Sequence, residues 1–410
     1  MRYLAEPNLI LESLIYLGLR ASKLDPELLE KRLIKMGCTD LAPFHSHYAP
    51  FRQLLEQLDR ETAPPEEALA ELFTDLAGFP RSTAGAYSLA LLLFLPAASQ
   101  HTGDLETFLS AMARRTEEDV IRDFLVSLDL GQEITEETDC AALLKKKMPE
   151  LPLTKRSRKT LLDALRNYGQ VLAQTAACLR PVYAAFLALL PTLKEIARGG
   201  SAEMSSPEME RYLRENSVFQ LTPGAEYTIR PLLIDPCSNL FFETGTDGPV
   251  LYCGLMQQFM RQQQQMASGS REHICECLHL LGDPTRFEIF CYLRERPAYG
   301  QELSERFGLA RNTIHYHMTK LFDVGLVRCM VKGACVYYSI DEAHFSHLLD
   351  HQRALFLPHY RGKYQDFRRQ APPAGIYVGI AGTPSEPGTA DKLLDTQEQE
   401  LLSPDSTPYR

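Results

Sequence analysis

A chain of 410 residues with 45% hydrophobic and 23% charged content has the make-up of a soluble globular protein long enough for two or three domains. Its net charge of -10 argues against a general nucleic-acid coat or an anionic membrane surface as partner, because both demand a basic excess. Ten cysteines without regular spacing do not make a disulfide framework, so free thiols in a reducing compartment are expected.

The opening Met1-Arg2-Tyr3-Leu4-Ala5-Glu6 lacks the basic stretch, apolar run and small-residue cleavage site of a secretory signal. From Asn8 to about Asn216 the pattern is almost wholly helical, with stripes at Ile10, Leu14 and Leu17, then Leu28, Leu29, Leu33 and Met36, then Glu66 to Leu76, Leu105 to Met112, Val120 to Leu128 and Leu161 to Leu179. The longest apolar stretch, Ala86 to Ala98, is too short to span a bilayer and reads as a buried helix ending near Pro96. Pro181-Val182 opens a further helix that ends near Gly199-Gly200-Ser201. Residues 1–216 are thus expected to be a helical domain that senses an effector or extends a dimer.

Residues 217–256 change character. Glu226 to Ile234, Asn239 to Glu243 and Val250 to Leu255 are rich in β-branched and aromatic residues and are broken by turn-forming clusters, which predicts a small antiparallel sheet. Thr244-Gly245-Thr246-Asp247-Gly248 reads as a turn. Residues 257–270 are a linker or a connecting helix, with Gln262 to Gln265 inside it and a break at Ser268-Gly269-Ser270. At the other end, 359–410 carries Pro372, Pro373, Pro384, Pro387 and Pro404 among Gly and Ser and reads as a disordered tail.

Between them, 271–358 holds the most specific signal. Asp283 is a candidate N-cap and Pro284 sits where a first helical turn tolerates it. Phe287, Phe290, Cys291 and Leu293 then recur at helical spacing up to Pro297. Gln301 to Phe307 predicts a short second helix, Gly308 a left-handed turn, and a third helix begins near Ala310. Two helices joined by a short Gly turn make a helix-turn-helix, whose second member enters the major groove. In that helix Ile314, Met318 and Leu321 share an inward stripe, which leaves Arg311, Asn312, His315 and Tyr316 outside; Arg suits guanine and Asn suits adenine. Leu326 to Met330 and Cys335 to Ile340 are two short strands around Lys332-Gly333-Ala334, the hairpin called a wing. The fold class expected is mainly α, a helical N-terminal domain with a small antiparallel sheet followed by a winged helix-turn-helix.

Leu281-Gly282-Asp283-Pro284-Thr285-Arg286, the third helix, Gly325-Leu326-Val327-Arg328, Gly333 and Val336-Tyr337-Tyr338-Ser339-Ile340 resemble the ArsR family of bacterial transcriptional regulators, over about Arg271 to Phe356. That resemblance implies a dimer formed through the helices at Glu272 to Leu281 and Glu342 to Phe356. It also implies double-stranded operator DNA as partner, read by Arg311, Asn312, Thr313, His315, Tyr316 and His317, with Lys320, Arg328 and Lys332 supporting. Ala310 departs from the usual Ser cap, and Met330, Val331 and Ala334 stand at wing positions often basic in relatives. From Arg271 to Asp350 nine Lys or Arg face eleven Asp or Glu, so weak non-specific binding is expected, although Arg306, Arg311, Lys320, Arg328 and Lys332 concentrate positive charge near the recognition helix.

Several relatives carry a thiol pair ahead of the recognition helix, and Tyr299-Gly300-Gln301-Glu302-Leu303 has none. His344, His347 and His351, with Asp341, are candidate metal ligands on one helix face; solvated surface residues are the plainer reading. Cys275, Cys277, His273 and His279 form another candidate, with Cys277 assigned to an apolar face beside Ile274, Leu278 and Leu281. Cys275, Cys329 or Cys335 would serve redox sensing only as exposed, low-pKa thiolates. No Gly-rich phosphate loop, nucleophile elbow or His-Glu-x-x-His is present, so no catalysis and no cofactor are expected. The reading is a cytoplasmic, dimeric, ArsR-like regulator answering an unidentified effector; the alternatives are a winged helix repurposed for protein contacts and a helical enzyme fused to a regulator.

Overall fold

The computed structural model describes residues 2–23, 27–35, 38, 40–77, 87–101, 103–128, 134–135, 137–149, 151, 153–207, 227–242, 248–267, 270–332 and 335–357. The expected boundary at 216–217, the turn through Thr244–Asp247, the break at Ser268-Gly269 and the tail at 359–410 lie outside these residues. Up to Phe356 the chain makes one compact unit; of the second, Leu357–Arg410, only Leu357 is described.

Helix α1 (Leu9–Ser22) is the axis of the helical body, and every residue from Ile10 to Leu19 is buried. Asn8 starts it by accepting a hydrogen bond from the Leu11 N–H at 3.1 Å, the usual role of an N-cap side chain. The helix packs directly on α4 (Glu66–Phe73), α5 (Leu89–Gln100) and α10 (Tyr168–Ala188), and α2 (Glu27–Lys35), α3 (Ala42–Glu61), α6 (Leu105–Ala113), α7 (Glu117–Ser127), α8 (Cys140–Lys147), α9 (Lys155–Arg166) and α11 (Leu190–Met204) complete the body. Two prolines are read through rather than obeyed: Pro96 lies inside α5 and Pro181 inside α10, so neither ends nor opens a helix as expected. An internal proline costs about 3 kcal/mol. Buried side chains on both sides outweigh it: Phe94 and Ala98 in α5, and Leu179, Val182 and Phe186 in α10. Helix α11 likewise runs on through Gly199 and Gly200. At 21 residues α10 is long and apolar enough to cross a membrane by length and composition; here half of it is buried among the other helices.

The expected antiparallel sheet is mixed. Strands β1 (Arg2–Tyr3), β2 (Thr228–Leu232), β3 (Asn239–Phe242) and β4 (Val250–Gly254) lie in the order β1-β2-β4-β3; β1 and β4 both run parallel to β2, and only β3 is antiparallel to β4. The reason is that β4 inserts between β2 and β3, where both its faces are covered: Tyr252 and Val250 join the helical core, while Leu251 and Cys253 meet Met204 of α11 and Ile229. A strand buried on both faces reads as an unbroken apolar run, as Val250-Leu251-Tyr252-Cys253 does. Gly254 is required there, because a Cβ would stand 2.3 Å from the Pro236 carbonyl oxygen.

Polar groups tie sheet to helices. The fully buried Glu12 carboxylate accepts from the Leu233 and Ile234 backbone N–H groups, both at 2.9 Å. Burial pushes the Glu12 carboxyl up to about 7, against the pull of those two donors. The Tyr252 hydroxyl accepts from Asn8 Nδ2 at 3.0 Å and donates to the Ser99 carbonyl at 2.7 Å, joining β4 to α1 and α5.

Helix α12 (Gln257–Ala267) follows β4, so the stretch left open between linker and helix is helical. Glu12→Ala strips two buried N–H groups of their acceptor. Denaturant unfolding should show a loss of about 2–5 kcal/mol at neutral pH, and an unchanged midpoint would show that the clamp is not needed.

Candidate nucleic-acid interface

A second hydrophobic cluster, sharing no residue with the first, centres on Ile289, Leu303, Ile314, Met318, Leu321 and Leu326. Its elements are α13 (Arg271–Leu281), α14 (Pro284–Glu295), β5 (Ala298–Tyr299), α15 (Gly300–Phe307), α16 (Arg311–Asp323), β6 (Val327–Lys332), β7 (Cys335–Ile340) and α17 (Glu342–Phe356). Strands β6 and β7 pair antiparallel from Val327 with Ile340 to Lys332 with Cys335, which is the expected hairpin; Gly333 and Ala334 at its tip lie outside the described residues. The sequence pattern missed β5, whose two residues pair with β7 and are too short to show periodicity.

The turn chemistry is local and legible. Asp283 caps α14 by accepting from the Arg286 N–H at 2.8 Å, and Arg286 Nε donates back to the Leu280 carbonyl at 2.7 Å. Together they lock the α13–α14 corner. Gly308 ends α15 at φ 63°, a left-handed conformation that glycine adopts without strain. The Ser304 hydroxyl then donates to the Leu309 carbonyl at 2.6 Å, fixing the turn into α16. Tyr292 and Glu302, also bonded at 2.7 Å, brace α14 against α15, with Arg296 on the same carboxylate.

Within α16 the apolar stripe faces inward as expected: Ile314 is 1% exposed and Met318 and Leu321 are wholly buried. On the other side His315 and Tyr316 are exposed and Thr313 is half-buried. Lys320 lies one turn on, its Nζ 5.7 Å from the centre of the Tyr316 ring. Arg311 and Asn312 open the helix and Lys332 ends β6, but their side chains lie outside the described set.

Two members of the expected DNA-contacting set are corrected. His317 is buried and turned toward Asp283 and Arg286; burial holds its imidazole below the usual range. Its position is one step round the helix from Met318, on the edge of the buried stripe. Arg328 does not project from the wing: its Nε lies 3.7 Å from Asp341 Oδ2 and a terminal nitrogen donates to the Ile340 carbonyl at 3.3 Å. A carboxylate brought from the next element was not legible from the strand alone. Leu278 and Phe287 were also expected inside and are exposed, their places in the core taken by Leu280 and Ile289.

The candidate histidine face is not formed. His344 is buried and its Nε2 lies 3.1 Å from His273 Nε2 on α13, whereas His347 is exposed and His351 bonds through Nδ1 to the His347 carbonyl at 2.8 Å. Cys277 Sγ lies 3.4 Å from the same His273 nitrogen, and burial pushes its thiol up to about 12. Among the described residues no group of three or more His, Cys, Asp or Glu is placed to hold a metal ion.

The corner, the short turn and the half-exposed third helix are the parts of one motif, and residues 281–329 match a family model described as a helix-turn-helix domain. These residues are a helix-turn-helix domain of the DNA-binding kind. No curated protein and no solved structure gives a significant match to the chain.

Two outcomes test this geometry. The helix-turn-helix domain starts α16 at Ala310, which has the extended backbone of an N-cap and no side-chain bond. Ala310→Ser should raise unfolding stability by about 1 kcal/mol; a neutral or destabilising result would mean that the N–H groups already have acceptors. Burial, then the charge of His344, holds His273 at about 4 instead of 6.5. The unfolded chain therefore takes up a proton first, and stability falls as pH drops from about 6.5 toward about 4. In a His273→Leu/His344→Leu chain that fall should be shallower, with a pH series of thermal midpoints as the check.

Proposed function

We propose that the chain is a sequence-specific, ArsR-like transcriptional regulator, not an enzyme, acting in the cytoplasm on double-stranded operator DNA. The observation that carries the reading is the division of α16 into a buried side of Ile314, Met318 and Leu321 and an exposed side bearing His315 and Tyr316. A helix held by one side to a small core can present the other to base edges in the major groove. Arg311 and Asn312 at its N-terminus, with Thr313, His315 and Tyr316, are assigned to base reading. Lys320 and Lys332 are assigned to phosphates, and His317 and Arg328 to holding the scaffold.

The same reading makes the protein a homodimer. Leu278 on α13 and Leu349 and Phe356 on α17 are large exposed apolar side chains on the two helices that the family resemblance assigns to the interface. Two copies of α16 would then address half-sites one helical turn apart. Effector coupling is assigned to the helical body. The feature that suggests it is a half-open cleft of about 280 Å³ between α2 and the helices α13 and α16, lined by Ile34, Glu276, Lys320 and Asp323. An occupant there acts on α16 only through different affinity for two arrangements of the domain.

Fluorescence anisotropy on DNA from the chain's own promoter region is the primary test. Wild-type protein should select one sequence over scrambled duplex, and Arg311→Ala should weaken that selection by about 1–3 kcal/mol. A wild-type chain that treats all duplexes alike supports instead a winged helix used for protein contacts. For the dimer, Leu278→Glu/Leu349→Glu should sediment as a monomer; a wild-type chain already monomeric at micromolar concentration removes that part of the reading.

A further inference from the structure

Residues 271–350 taken together have no basic excess, and a denser basic cluster stands elsewhere in the chain. Between Lys145 and Lys159 seven residues are Lys or Arg and one, Glu150, is acidic, in a protein of net charge -10. Lys145 and Lys146 close α8, and Lys155, Arg156, Arg158 and Lys159 open α9. Arg158 draws the two helix ends together, its guanidinium donating to the Pro149 carbonyl at 3.1 Å and the Leu151 carbonyl at 2.9 Å. Of the other six cations Lys147 is half-buried, and Lys145, Lys146, Lys155, Arg156 and Lys159 are exposed, none of these five having an ion pair among the described residues.

The α8 lysines have a structural explanation, because cations at a helix C-terminus complement its dipole. The α9 set has the opposite placement. Its first turn holds no acidic residue, and Lys155, Arg156, Arg158 and Lys159 stand at the positive end of the helix, where cations lower stability. Thr154 caps the helix by accepting from the Ser157 N–H at 3.1 Å, so the fold makes good use of this N-terminus and yet surrounds it with like charge. An anionic partner removes that conflict.

We infer that the joined ends of α8 and α9 form a second phosphate-contacting surface, which engages duplex DNA outside the sequence read by α16. This rests on the regulator reading given above and extends it. Three features select duplex DNA. Phosphate neutralisation dominates non-specific affinity, and residues 271–350 have nine basic residues against eleven acidic, with Arg328 held by Asp341. From Lys145 to Lys159 there is no aromatic side chain, so the surface has donors for a phosphate backbone and no platform on which single-stranded bases would stack. Met148 and Leu153 are buried, leaving none of the exposed apolar anchors that an interfacial membrane helix needs.

The test combines Lys145→Gln, Lys146→Gln, Lys155→Gln, Arg156→Gln and Lys159→Gln in the full-length chain. Binding is measured across a salt series on a duplex trimmed to the protected sequence and on the same sequence with long flanks. Wild-type protein should show the steeper salt dependence on the flanked duplex, and the variant should lose the excess, about 0.9 in the slope of log K against log salt for each phosphate contact removed. Its preference for operator over scrambled sequence should persist, unlike that of Arg311→Ala, and its thermal midpoint should equal or exceed that of wild type because like charge has left the start of α9. A variant that selects the operator with an unchanged slope on the flanked duplex overturns this inference alone, as does one whose thermal midpoint drops. A wild-type chain that binds neither duplex overturns the regulator reading and this inference with it. If such a chain binds anionic lipid vesicles through the same five residues, the surface belongs to a membrane.

Discussion

Burial of Ile314, Met318 and Leu321 is the constraint on which the interface depends. Three side chains on one stripe fix the rotation of α16 about its own axis, and the rotation decides which residues face solvent. Had His317 joined the outer face, Met318 would have had to leave the core. The short turn at Gly308 and the corner locked by Asp283 and Arg286 set the angle at which that helix leaves the body, so the outer face is aimed as well as exposed.

The helical body is organised by a different kind of contact. Its centre is an apolar helix, α1, whose buried cap Asn8 and buried Glu12 are both used to hold backbone groups of other elements. The Leu233 and Ile234 N–H groups lie in the chain just after β2, where no neighbouring strand takes them, and the Glu12 carboxylate satisfies both. Burying a carboxylate is costly in itself, and it is tolerated where it removes two unpaired donors. The sheet is therefore keyed to α1 in one register.

What the sequence made legible was chemistry that acts over a few residues. Pro284, Gly308 and the spacing of Ile314, Met318 and Leu321 each carry their meaning locally, and the helix-turn-helix domain follows them almost residue for residue. Pro96 and Pro181 misled because their local meaning is overridden by burial supplied by helices far away in the chain. The parallel pairing of Arg2–Tyr3 with Thr228–Ile229 leaves no short-range trace, and a two-residue strand has no periodicity to detect. Among the site residues, His315 and Tyr316 were legible from helical phase, whereas the inward turn of Arg328 depends on Asp341, and the approach of His344 to His273 depends on how α17 returns across α13. Partners fixed by the tertiary fold cannot be read from spacing along one element.

That return has an architectural consequence. The two imidazoles join the first turn of the winged segment's opening helix to the first turn of its closing one. Such a clasp closes the intervening chain into a loop, so fraying at the start of either helix loosens the start of the other.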